Sequence, residues 1–129
     1  MYALADVMTR GVFAVERGLR LREAATQMAE RGVGAAIVLD GERLVGILTE
    51  RDVLLAVASD RDKSATVEDC MTRHPETVEP SDTTDHAAAL MIHGGFRHLP
   101  VVEGERVVGI VSIRDLMRVT LNDISPRGV

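Results

Sequence analysis

Gly46-Ile47-Leu48-Thr49-Glu50-Arg51-Asp52 returns 63 positions later as Gly109-Ile110-Val111-Ser112-Ile113-Arg114-Asp115. The same shift lays Met8-Thr9-Arg10 on Met71-Thr72-Arg73, Ala24-Ala25-x-x-Met28 on Ala87-Ala88-x-x-Met91, and Gly41-Glu42-Arg43 on Gly104-Glu105-Arg106, with no gap. Matches held in one register over so long a span mark an internal duplication, and a duplicated chain folds as copies of one supersecondary unit.

Within each copy the apolar pattern changes period in the same order. A short apolar segment comes first, Val12 to Val15 in one copy and Thr77 and Val78 in the other. A helical stripe follows (Leu21, Ala24, Ala25, Met28; Ala87, Ala88, Met91, Ile92) and stops at Gly32 or Gly95. Two β-branched runs come next, Ala35 to Leu39 and Leu44 to Leu48, with Leu99 to Val102 and Val107 to Val111 as their counterparts. The Asp40-Gly41 pair between the first two favours a hairpin turn with positive φ. A last helix is predicted from about Glu50 to Ala58, and again from about Ile113 to Asn122. The fold class is therefore α/β (α+β): two pseudo-twofold-related β-α-β-β-α repeats packed through their sheets, residues 1–63 and 64–129, joined by the polar stretch Ser59 to Thr66. A unit of about 60 residues buries too little surface to stand well alone, so the copies are expected to close on each other around a cleft, the natural seat for a ligand.

Composition narrows the function. The chain's 129 residues leave no room for two independent enzymes, and no run approaches the roughly 18 apolar residues of a membrane span. A net charge of -5 opposes broad nucleic-acid binding, and three aromatic side chains (Tyr2, Phe13, Phe96) are too few for a base-stacking platform. Cys70 is the one cysteine, which excludes an internal disulfide and a multi-cysteine zinc site; it is read as a partly buried small residue. His74, His86 and His93 lack a third ligand at zinc-like spacing, so no metal is expected. Met1 to Arg10 has no basic stretch followed by an apolar run, and a cytoplasmic location is expected.

Asp6-Val-Met-Thr9, Asp69-Cys-Met-Thr72, Arg97-His-Leu-Pro-Val-Val102 and the Gly-x-x-Thr/Ser-x-x-Asp segments ending at Asp52 and Asp115 together resemble the cystathionine β-synthase (CBS) domain family, whose members occur as tandem pairs called Bateman modules. The resemblance spans Ala3 to Leu121. It implies a regulatory, energy-sensing pair that binds an adenine nucleotide (AMP, ADP or ATP) or S-adenosylmethionine, forms a homodimer through its helices, and acts on an effector protein in trans.

Thr49-x-x-Asp52 and Ser112-x-x-Asp115 each sit where a strand becomes a helix. A hydroxyl there accepts from the N–H three residues on while the acid reaches back, which is a helix cap and needs no ligand. The same helix start offers free N–H groups to a phosphate, and its carboxylate can accept both hydroxyls of a ribose. By resemblance, one site takes Thr49 and Asp52 for the ribose, Arg97, His98 and Arg114 for phosphate, and Ile47, Thr77, Val78 and Pro100 near the base. The mirror site takes Ser112, Asp115 and Ile110 with Val12, Ala35 and Arg51; Gly34-Ala35 stands where the partner copy has Arg97-His98, so its anion affinity should be weaker.

The chain carries no nucleophile with its base, no phosphate loop and no Cys/His cluster, so an enzyme is not expected and no cofactor is required beyond the regulatory nucleotide. The competing reading is a ligand-free dimerising scaffold, in which the two Asp residues serve only as caps.

Overall fold

The computed structural model describes residues 2–124, so the last five positions of the second repeat lie outside the described residues. The chain divides into two compact units, and the division does not follow the sequence repeat. One unit is Val12–Pro75; the other joins the segment up to Gly11 with everything from Glu76 onward.

In the unit Val12–Pro75, strand β1 (Ala14–Glu16) leads to helix α1 (Leu21–Arg31), the hairpin β2 (Ala35–Asp40) and β3 (Arg43–Thr49), and helix α2 (Glu50–Ala58). A single helical turn, α3 (Val67–Cys70), and a two-residue strand, β4 (Thr72–Arg73), complete it. The sheet runs β1-β2-β3-β4, with β1 parallel to β2 and the other pairs antiparallel. Gly32 ends α1 with φ 67° and Gly41 turns the hairpin with φ 66°, left-handed positions that glycine takes without a Cβ clash. The other unit repeats the plan with α4 (Thr84–Gly94), β5 (His98–Glu103), β6 (Arg106–Ser112) and α5 (Ile113–Ile124).

Each unit borrows its closing segment from the neighbouring sequence repeat. Val67 and Glu68 N–H groups donate to Leu19 and Arg17 carbonyls, Leu21 N–H donates to Ala65, and Thr72 pairs with Ile47. The other unit has the same bonds 63 residues displaced: Leu4 to Asp82, Ala5 to Pro80, Thr84 to Tyr2, and Thr9 bridging Ile110. The duplicated Met-Thr motif thus closes the strand of the other repeat rather than its own. The polar stretch Ser59 to Thr66, read as a linker, is accordingly part of a unit: Ala65 is buried and Thr66 bridges Arg20.

Glycine makes that closure possible. A Cβ on Gly46 would lie 2.5 Å from Met71 Sδ and 2.8 Å from the Thr72 carbonyl oxygen; on Gly109 it would lie 2.6 Å from Met8 Sδ and 3.0 Å from the Thr9 carbonyl oxygen. Both methionines are buried, Met71 beside Val67 and Leu48, Met8 beside Leu4 and Val111. Elsewhere the two cores trade volume: Ala36 and Leu48 in one occupy the repeat positions of Leu99 and Val111 in the other, an exchange that keeps packing near native density.

One element differs between the units. In the first, Ile37 N–H donates to the Phe13 carbonyl and helps to hold β1. Pro100 occupies the equivalent position and has no N–H, so the segment expected at Thr77 and Val78 is reduced to an isolated bridge, Val78 with Val101.

The closing segment can be tested in two ways. Gly46→Ala should lower stability in denaturant unfolding by about 1–3 kcal/mol through overpacking, whereas Gly18→Ala, where a Cβ meets open space, should be near neutral. The turn α3 is capped by Asp69, whose Oδ2 accepts from Thr66 N–H at 2.9 Å and Thr66 Oγ1 at 3.1 Å. The backbone and hydroxyl hydrogen bonds from Thr66, with smaller help from Arg61 and Arg73, hold its carboxyl below the ordinary 3.8. A depressed folded-state value contributes stability above that ordinary pH and loses it as pH falls through the folded value. The melting temperature of Asp69→Asn should therefore fall less steeply than that of the parent between pH 5 and pH 2.

Candidate functional site

The β3-to-α2 junction builds the first constellation. Glu50 N–H, at the first helical position, is tied to the Gly34 carbonyl at 3.0 Å, and Thr49 pairs with Ala35 across the hairpin. Thr49 caps α2: Asp52 N–H donates to its Oγ1 at 3.3 Å, while Thr49 N–H and Oγ1 both donate to Asp52 Oδ2, at 2.9 and 3.0 Å. The cap is thus present as the spacing predicts. Asp52 Oδ1 has no hydrogen-bond or ion-pair partner among the described residues. Ile47 and Ala35 are buried, Val12 is half-buried, Thr49 and Asp52 are half-buried, and Arg51 is exposed.

The β6-to-α5 junction builds the second. Ile113 N–H donates to the Arg97 carbonyl at 2.9 Å and His98 pairs with Ser112, so Arg97 and His98 lie beside the start of α5 within their own unit. Ser112 N–H donates to Asp115 Oδ2 at 2.8 Å and Asp115 N–H to Ser112 Oγ at 3.2 Å. Arg97 and Arg114 are exposed, His98 half-buried, and Pro100 and Val78 buried; Pro100 pairs with Ile110, and its carbonyl accepts from Val78 N–H at 3.1 Å. Thr77 is exposed. Thr49, Asp52, Ile47, Arg51, Ala35 and Val12 therefore belong to one unit, and Thr77, Val78, Arg97, His98, Pro100, Ile110, Ser112, Arg114 and Asp115 to the other.

Beside Asp52, within its own unit, a pocket of about 160 Å³ is lined by Leu55, Ala56, Ser59, Arg61, Asp69 and Cys70. Sequence reasoning gives Cys70 no role, and it is half-buried here. Burial pushes its thiol up, Asp69 and Asp52 add to that and Arg61 opposes it, so the thiolate needed for nucleophilic or metal chemistry is disfavoured. Among the described residues no three His, Cys, Asp or Glu side chains gather as a metal site would require, and no helix is long and apolar enough to cross a membrane.

The neighbour of Asp115 that the sequence did not single out is Arg118, whose Nη1 lies 3.6 Å from Asp115 Oδ1. Its position, three residues past the capping acid on one helix face, was the available signal.

A model of the CBS domain family matches the chain twice, over residues 4–59 and 67–122. Among solved structures, a protein with CBS domains from Burkholderia ambifaria superposes with a TM-score of 0.91 at 34% identity, covering 99% of this chain and 100% of that one. The CBS domain pair of protein MJ0100, in complex with 5-methylthioadenosine and S-adenosyl-L-methionine, superposes with a TM-score of 0.89 at 27% identity over 95% of this chain and 98% of that one. CBSX2 in complex with AMP gives 0.82 at 27% identity, over 95% and 98%.

Proposed function

This chain belongs to the CBS domain family, which it matches as a tandem pair, and from that membership we propose that it is a regulatory module binding an adenosine-type ligand. Asp52 carries the reading. One of its oxygens is spent on the cap of α2 and the other is left to accept, at a helix start whose dipole favours an anion. A carboxylate with one anchored and one unengaged oxygen is a preoriented acceptor for ribose hydroxyls, and hydrogen bonds to an ion are the strong ones. Two of the similar structures hold ligands with an adenosine core, AMP in one and 5-methylthioadenosine with S-adenosyl-L-methionine in the other. We assign the sugar to Thr49 and Asp52, phosphate recognition to Arg97, His98 and Arg114, and the base to Ile47, Thr77, Val78 and Pro100. The constellation of Ser112, Asp115, Ile110, Val12, Ala35 and Arg51 is the weaker one. The arginines favour a phosphate-bearing ligand (AMP, ADP or ATP) over S-adenosylmethionine, which carries no phosphate.

Calorimetric titration tests this. Asp52→Ala should weaken AMP by about 10- to 150-fold, the loss of a charge-assisted hydrogen bond of about 1.5–3 kcal/mol. Arg97→Ala should weaken AMP but leave adenosine unchanged. Equal loss of both ligands in Arg97→Ala, or AMP binding unaltered by Asp52→Ala in a variant that still melts cooperatively, contradicts the assignment.

A second copy is the partner that the surface supports. Met117 and Leu121 are exposed one helical turn apart on α5, and Leu54, Leu55 and Val57 are exposed on α2. A signal is then passed to an effector chain by a change in that dimer, since a ligand shifts only states it binds unequally. Light scattering should give a dimer, and Met117→Glu with Leu121→Glu a monomer.

A further inference from the structure

The two capping boxes differ at the residue one helical turn beyond the capping acid. Three residues beyond Asp52 stands Leu55; three beyond Asp115 stands Arg118. Asp115 Oδ2 accepts the Ser112 N–H at 2.8 Å, and its Oδ1 lies 3.6 Å from Arg118 Nη1. Both oxygens of that carboxylate are engaged inside the helix start, whereas Leu55 has nothing to offer Asp52 Oδ1. The burial is as uneven as the bonding: the Asp115 side chain is 12% exposed and that of Arg118 67% exposed, so the guanidinium lies over the carboxylate from the solvent side.

We propose that Arg118 is a specificity-determining residue that competes with a sugar for Asp115, and that the Leu55/Arg118 difference makes the chain bind one nucleoside-type ligand preferentially at Asp52. This rests on the ribose role assigned to the capping acids. A ribose diol reaching Asp115 must first displace an ion pair that a diol reaching Asp52 does not meet. Arg118 is exposed and the pair is long, so the bias is modest. Exposed pairs of this kind correspond to a factor of about two to five in an equilibrium constant. If Arg118 is instead a phosphate ligand, its removal leaves adenosine binding unchanged and weakens AMP.

Adenosine is the probe, since without a phosphate it reports the sugar alone, and ligand-observed NMR titration reads weak affinities. Leu55→Arg should weaken adenosine about two- to fivefold by placing at Asp52 the competitor that Asp115 already has. In the Asp52→Ala background, Arg118→Leu should tighten the remaining adenosine binding by a similar factor, Arg118→Gln should do the same, and Asp115→Ala should abolish the gain. The proposal is overturned if Leu55→Arg leaves adenosine affinity unchanged while the variant melts and scatters light like the parent, or if the Arg118 variants bind adenosine no more tightly than the Asp52→Ala background. Failure of the underlying assignment looks different: Asp52→Ala would then bind adenosine as well as the parent does, and both ideas fall together.

Discussion

A methionine sulfur lies against a strand glycine in each unit, and the closure of both units depends on that contact. Met71 lies against Gly46 and Met8 against Gly109, so close that even a methyl group on either glycine would collide with the sulfur. The approach lets the Thr that follows each methionine pair with the strand, Thr72 with Ile47 and Thr9 with Ile110. Because each Met-Thr comes from the other sequence repeat, neither repeat is closed by its own residues. Each unit is thereby built from residues of both sequence repeats, and each contains one strand-to-helix junction with its capping acid.

Those junctions join structure to chemistry. The cap requires a hydroxyl followed three residues later by an acid, and it fixes the carboxylate through the oxygen that it uses. The second oxygen is where the two copies diverge, unengaged at Asp52 and paired at Asp115. On the proposed reading, a ribose diol meets a competitor at Asp115 that it does not meet at Asp52.

Much of this was legible in the residues because it is local. Gly32 and Gly95 mark helix stops, Gly41 and Gly104 mark hairpins, and the Thr49 and Ser112 boxes mark helix starts, each signal lying within four residues of its effect. What escaped was long-range. Met8 and Gly109 stand near opposite ends of the chain, and periodicity does not say which strand a short motif will close. The turn α3 is hidden inside an apparent linker, although Thr66-Val-Glu-Asp69 has the same capping pattern that is recognisable at Thr49. The family resemblance assigns Pro100 a place near a base, but what its missing N–H does, thinning the neighbouring strand to a bridge at Val78, is seen only in the fold. The one signal for Arg118 is its place three residues past the capping acid, and a charge on a helix surface is usually solvated, so the distance to Asp115 is what gives it a role.

The most direct measurement is a crystal structure of the full chain grown with saturating AMP. The account predicts a nucleotide whose ribose hydroxyls donate to the free oxygen of Asp52, with the pair between Arg118 and Asp115 still formed. A nucleotide bound with its sugar elsewhere and Asp52 facing water, or crystals that exclude AMP at concentrations where calorimetry detects binding to Asp52→Ala, would contradict it.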